Sequence, residues 1–173
     1  MALLLQRKWV AFWTTAAVVT LVDQLGKWHA TTSLPVGIRT PLIADVLSLV
    51  HLPSVGGAFG FLNGSSQGAQ LVGFALFSII TTIVIASFYR GLSPREFGSA
   101  AGLGAILGGT LSNSIDRIRF GWSIDFLHVG PAASDTLPDF NLADLAIALG
   151  VVTLIVELLA TEIASRASER PRR

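Results

Sequence analysis

Long apolar runs separated by short polar connectors set the elements of this chain. The first run, Trp9 to Val22, continues through Asp23 to about Trp28 and follows a short head that ends in Arg7-Lys8. Its start is like that of a signal peptide, but no small-x-small cleavage signature follows; Asp23, Lys27 and Trp28 stand there instead. The pattern predicts an uncleaved transmembrane helix over about 9–28, with Trp9 and Trp28 as interfacial anchors at its two ends. From 29 to 68 the pattern breaks into mixed sequence with Pro35, Pro41, Pro53 and a cluster of glycines, which places this segment outside the bilayer. Within it, Leu42 to Leu52 is rich in Val, Leu and Ile yet too short to span, and Val55 to Phe61 follows Pro53-Ser54 as a second short extended piece. Together these predict a small sheet resting on the membrane surface. A second span follows over about 69–88, about 20 residues as a bilayer requires, closed by Tyr89-Arg90. A short connector with Pro94 and Arg95 leads to a third span over about 97–118, where Gly98/Gly102 and Gly104/Gly108 make two G-x-x-x-G spacings that let helices approach closely in lipid. The fourth span covers about 141–160, and the tail 161–173 ends in a basic, proline-containing stretch from Ser165 that is expected to be disordered. The expected fold is an all-α membrane protein, a single membrane domain over 1–173 with four transmembrane helices and a small sheet outside the bilayer.

Composition strengthens that picture. Hydrophobic residues make up 51% of the chain and charged residues 13%, whereas a soluble globular domain carries about 25% charged residues. Mean hydropathy is +0.64. A net charge of +1 gives no case for nucleic-acid binding. The chain has no cysteine, which excludes disulfides, thiolate metal sites and a cysteine nucleophile, so any catalysis must use oxygen or nitrogen groups. With four spans, Arg7, Lys8, Arg90, Arg95, Arg166, Arg170, Arg172 and Arg173 fall on one side, eight of twelve basic residues, and both termini are expected to be cytoplasmic. All seven aspartates then lie on or near the outer side and all four glutamates toward the inner one.

Candidate chemistry therefore faces outward. Asp125 follows a short segment, Gly121 to Ile124, that leads off the end of the third apolar helix; Asp144 lies one turn into the fourth, with Asn141 three residues before it on the same helical face. Carboxylates at the mouth of a membrane-embedded helix pair are expensive to place, so they read as a functional site. Asp125 and Asp144 sit on consecutive outer-side elements and can meet. Two carboxylates within hydrogen-bond reach share one proton; the ionised member can take a proton from water while the protonated one polarises a scissile carbonyl. This is the chemistry of an aspartyl protease dyad. Asp23 and Lys27 are spaced for a helical ion pair that snorkels at the interface or supports the site. Asn113, Asp116 and Arg117 form a capping and salt-bridge cluster at the end of the third span, in which Arg117 can reach a carboxylate. His29, His51 and His128 are scattered with no H-E-x-x-H spacing, which argues against a metallopeptidase. A proton-coupled transporter or a non-catalytic membrane scaffold is the alternative, but it predicts acids near the midplane of several helices rather than at one surface.

Asp23-Gln24-x-x-Lys27, Gly56-x-Ala58-Phe59-Gly60, Gly108-Gly109-x-x-x-Asn113-x-x-Asp116-Arg117, Ile124-Asp125-Phe126 and Phe140-Asn141-x-Ala143-Asp144 occur in the order and spacing of lipoprotein signal peptidase, signal peptidase II. The chain resembles that family from the first helix to the fourth. The resemblance implies a four-helix inner-membrane aspartyl peptidase with a periplasmic sheet-like cradle, Asp125 and Asp144 as the dyad, and support from Asn113, Arg117 and Asn141. It implies cleavage just before a diacylglyceryl-modified cysteine, hence a prolipoprotein substrate and membrane lipids as partners. No cofactor, metal or nucleic acid is expected, and the chain is expected to act as a monomer. Phe59, Phe61, Trp122 and Phe126 are expected to flank the site as interfacial aromatics, with 59–61 as a flap over the cleft. The chain departs from the family at Ser54-Val55-Gly56, where Asn-Thr-Gly is usual, and at Ser112-Asn113, where Gly-Asn is usual. The first bears on a polar contact to substrate; the second is expected to tighten packing at the helix end.

Overall fold

The computed structural model describes residues 2–54, 66–134 and 137–169. Four helices carry most of the chain: α1 (Ala2–Ser33), α2 (Gln67–Gly91), α3 (Phe97–Phe120) and α4 (Leu142–Glu169). Three strands, β1 (Thr40–Ile43), β2 (Leu47–Ser54) and β3 (Ser123–Val129), form an antiparallel sheet in the order β1-β2-β3.

The bundle is organised around α3, which packs against α1, α4 and α2. Its composition explains this: Ala100, Gly102, Gly104, Gly108 and Gly109 are buried among larger apolar residues of the same helix, Leu103, Ile106 and Leu107. Small side chains let neighbouring backbones come close, which is how helices adhere where lipid removes the hydrophobic drive. Gly104 and Gly108 lie against the α1 backbone at Phe12 and Ala16, while Gly109 faces α4 at Ala143. Of the two glycine spacings read from the sequence, Gly104/Gly108 is thus the α1–α3 contact, while Gly98 and Gly102 face α4 at Glu157, Gly150 and Thr153. α2 turns a stripe of Phe74, Ser78, Thr81, Ile85 and Tyr89 inward at helical spacing. Its remaining faces expose Val72, Leu76, Phe77, Ile79, Ile80, Ile83 and Phe88. α4 likewise exposes Leu149, Val152, Ile155, Val156, Leu158 and Leu159. Apolar surface on this scale marks contact with something other than water. By length and composition α2 and α4 are long and apolar enough to cross a membrane.

At the N-terminal end of α1, the Lys8 ammonium lies 4.5 Å from the Tyr89 ring centroid and donates to the carbonyls of Tyr89 and Leu92 at 3.1 and 2.8 Å. It thereby ties the carbonyls at the end of α2 to α1.

Two expectations change. The segment after α3 is a strand rather than a simple lead into Asp125: β3 is buried on both faces over 123–126, so its residues lack the alternation that marks a half-exposed strand. The fourth helix runs on to Glu169, so the stretch from Ser165 is helical up to that residue instead of disordered. The second extended piece expected over 55–61 lies outside the described residues, as do Arg170 to Arg173.

Candidate active site

The site begins where α3 stops. Gly121 caps the helix with φ 86°, and its N–H donates to the Arg117 carbonyl at 3.0 Å. That left-handed backbone suits glycine, and it turns the chain from α3 into β3 within two residues. β3 then pairs with β2, bringing Asp125 opposite Leu52 and Ser123 opposite Ser54. On the other edge of β3, the Leu127 N–H donates to Phe140 O at 2.9 Å and the Phe140 N–H returns a bond to Leu127 O at 3.0 Å. Phe140 is the second residue before α4, so this bridge fixes the start of α4 beside Asp125.

Asn141 completes the junction with one amide. Its Oδ1 accepts from the Asp144 N–H at 2.9 Å, a helix N-cap, while its Nδ2 donates to Asp125 Oδ1 at 2.8 Å. Asp144 Oδ1 in turn accepts from Asn113 Nδ2 at 2.8 Å. Each aspartate is therefore held by a buried amide, Asp125 by Asn141 and Asp144 by Asn113. Asp125 is 8% exposed. Burial, then the neighbouring charge of Asp144, push the Asp125 carboxyl up to about 6, against opposing hydrogen bonds from Ser54 and Asn141 and the charge of Lys27.

Behind the pair lies a charge network that joins α1, α3 and α4. Lys27 Nζ contacts Asp23 Oδ2 and Asp116 Oδ2 at 2.7 Å each and donates to Asn113 Oδ1 at 2.8 Å. These side chains are sealed: Asp23, Asp116 and Lys27 are 0%, 1% and 2% exposed. The Asp23–Lys27 pair expected from its spacing is present, but it does not snorkel; it sits in the bundle, where Asp23 Oδ1 accepts the Ala143 N–H at 2.9 Å and Oδ2 accepts from the Ser112 hydroxyl at 2.7 Å. Ser112 is thus a hydrogen-bonding member of the network as well as a small packing residue. Gln24 Nε2 reaches Asp116 Oδ1 at 2.7 Å and Ser112 Oγ at 3.0 Å. Ser123 Oγ donates to Asn113 Oδ1 at 2.8 Å.

Arg117 differs from its expected role. Among the described residues it makes no ion pair with a carboxylate; one Nη donates to Asn113 O at 3.2 Å, and the guanidinium lies 3.7 Å from the Phe74 ring centroid. Phe126, expected among the flanking interfacial aromatics, is buried with its ring against Gly26 of α1. Trp122 is partly exposed. Asp139, two residues before Asn141, binds Arg39 and His128 at 2.9 Å each. Gly56, Phe59 and the flap expected over 59–61 lie outside the described residues. Of the predicted positions, Asp23, Lys27, Ser54, Asn113, Asp116, Asp125, Asn141 and Asp144 come together in one cluster, with Arg117 at its α2 side. Gln24, Ser112, Ser123 and Phe74 belong to the same neighbourhood and were not singled out as site residues by sequence. Gln24 stands inside the first motif and Ser112 stood out as a departure beside Asn113, so both could have been found there; Ser123 and one of ten phenylalanines carry no such signal.

Comparison with known proteins agrees with this geometry. The family described as Signal peptidase (SPase) II matches residues 15–160. The chain is 34% identical over 152 residues to the lipoprotein signal peptidase of Geobacillus kaustophilus (strain HTA426), covering 86% of this chain and 93% of that one. It is 35% identical over 148 residues to that of Moorella thermoacetica (strain ATCC 39073 / JCM 9320), covering 86% and 92%. Among solved structures, it superposes on a bacterial membrane enzyme determined by the in meso method at 2.3 Å resolution, with a TM-score of 0.78 and 25% identity over 92% of this chain and 93% of the other.

Proposed function

Because the chain belongs to the signal peptidase II family and is an integral membrane aspartyl protease, we propose that it removes signal peptides from prolipoproteins through a dyad of Asp125 and Asp144. The cut falls just before the diacylglyceryl-modified cysteine. One carboxylate is ionised and takes a proton from the attacking water; the other is protonated and donates to the scissile carbonyl oxygen. The tetrahedral species collapses when the amide nitrogen receives a proton and leaves as the new amino terminus of the modified cysteine, while the signal peptide departs with a carboxylate. The single proton belongs to the pair.

The observation that carries this reading is the Asn141 amide, which bonds to the Asp125 carboxylate with one end and caps the helix turn of Asp144 with the other. The raised Asp125 carboxyl, with Asp144's charge as its second cause, fits two acids that resist simultaneous ionisation. Asn113 and the Lys27 network support the pair from beneath, and Ser54 supplies a hydroxyl to Asp125 from β2.

The proposed setting is one membrane domain with four spans, both termini cytoplasmic and the site at the periplasmic face of the inner membrane. The exposed apolar faces of α2 and α4 support spanning, and the separation of aspartates from glutamates along the chain supports that orientation. A signal helix and a diacylglyceryl group both partition into lipid, so a site at the end of the bundle meets the scissile bond where the acyl tails end.

The test is cleavage of a lipidated and a non-lipidated precursor by purified wild type, Asp125→Asn and Asp144→Asn. Each substitution is expected to lower kcat/KM at least about 10³-fold, within the range of general acid–base effects, with folding intact by circular dichroism. Cleavage retained by Asp125→Asn refutes the dyad. Equal cleavage of both precursors refutes the lipid requirement.

A further inference from the structure

The proposed dyad uses no residue of α2, which meets the site at Phe74. Phe74 and Ser78 lie on the face of α2 that meets α3, one helical turn apart. Ser78 Oγ and Ser114 Oγ share a hydrogen bond at 2.9 Å that joins α2 to α3 away from the aspartates. Phe74 does more: its ring centroid is 3.7 Å from the guanidinium carbon of Arg117. That guanidinium has no carboxylate partner among the described residues, and its hydrogen bond is to the Asn113 carbonyl of its own helix at 3.2 Å. Its Nε is the buried side-chain atom without a hydrogen-bond partner among the described residues. Its charge still interacts electrostatically with Asp144, Asp116 and Asp125. A long, flexible side chain with one backbone tether would sample many rotamers; a flat aromatic face removes that freedom.

We propose that Phe74 is a positioning residue for the peptidase, its ring holding the Arg117 guanidinium in place beside the two aspartates. This rests on the dyad proposed above. Ring and tether hold the group at two points, the guanidinium carbon over Phe74 and one Nη on the Asn113 carbonyl. Without the ring, the cation moves away from the carboxylates, and both acids hold their protons more tightly.

The experiment measures kcat, KM, pH profile and melting temperature in detergent for Phe74→Leu, Phe74→Trp, Ser78→Ala, Arg117→Met and the double variant Phe74→Leu/Arg117→Met, with Asp125→Asn as reference. Phe74→Leu is expected to lose about tenfold in kcat, in keeping with a partly desolvated cation–π contact, and to shift both limbs of the pH profile to higher pH. Phe74→Trp should restore kcat and limbs. Ser78→Ala should lower the melting temperature alone. In the Arg117→Met background, Phe74→Leu should cost nothing further. Additive losses in the double variant, or a Phe74→Leu enzyme with wild-type kcat and limbs, overturn the positioning role. Cleavage by Asp125→Asn overturns the dyad instead, and the coupling between Phe74 and Arg117 is read from the double variant independently of it.

Discussion

Removing the Lys27 ammonium strips Asp23 and Asp116 of the cation that contacts both, at positions that are 0% and 1% exposed. Breaking a buried pair from one side costs about 3–5 kcal/mol, because the stranded charges remain desolvated. Lys27→Met should therefore melt far below wild type, and Lys27→Met/Asp23→Asn/Asp116→Asn should recover part of the loss; equal melting of Lys27→Met and wild type would contradict the network. Asp125 has the opposite character to a salt-bridged acid. Its carboxyl is raised from 3.8 to about 6, so within that window the folded chain keeps a proton that the unfolded chain has released. Stability on this account falls as pH climbs from about 3.8 to about 6 and levels off above. In Asp144→Asn the neighbouring charge is gone while burial stays, so Asp125 should titrate lower than in the wild type. The carboxylic C=O infrared band reads this directly, and a titration unchanged by Asp144→Asn would show that the two acids do not interact.

At the level of elements, the α3–α4 contact decides where Asp144 sits. A Cβ built on Gly109 would lie 2.5 Å from the Ala143 carbonyl oxygen and 2.8 Å from Ile147. Gly109→Val should thus push α4 outward at the turn carrying Asp144, cutting cleavage at least about tenfold and lowering stability by about 1–3 kcal/mol as overpacking does. Gly68→Ala, with nothing within 4 Å, is the matched control and should leave both unchanged. The helices and both aspartates were legible because apolar runs of spanning length and acids at their ends are rare combinations. β3 was not, since Ser123 to Phe126 is buried throughout and shows no alternation to count. Nor was the burial of Asp23 and Lys27: i,i+4 spacing states that two side chains can pair and is silent on which neighbours close over them. The role of Phe74 depends on a helix-to-helix distance, which no local pattern encodes.

For the whole molecule, the absence of cysteine makes topology directly measurable. Single cysteines at Ser93, in the α2–α3 connector, and at Val36, before β1, should label from opposite sides of sealed vesicles with a membrane-impermeant maleimide; labelling from the same side would reject the four-span arrangement. The hydrogen bond from the Ala143 N–H to Asp23 joins positions 120 residues apart, the first helix to the opening turn of the last. The pocket around Asp144 is therefore unfinished until the C-terminal quarter has left the ribosome and entered the bilayer. A chain broken between α2 and α3 should regain activity only when both halves are made together in one cell.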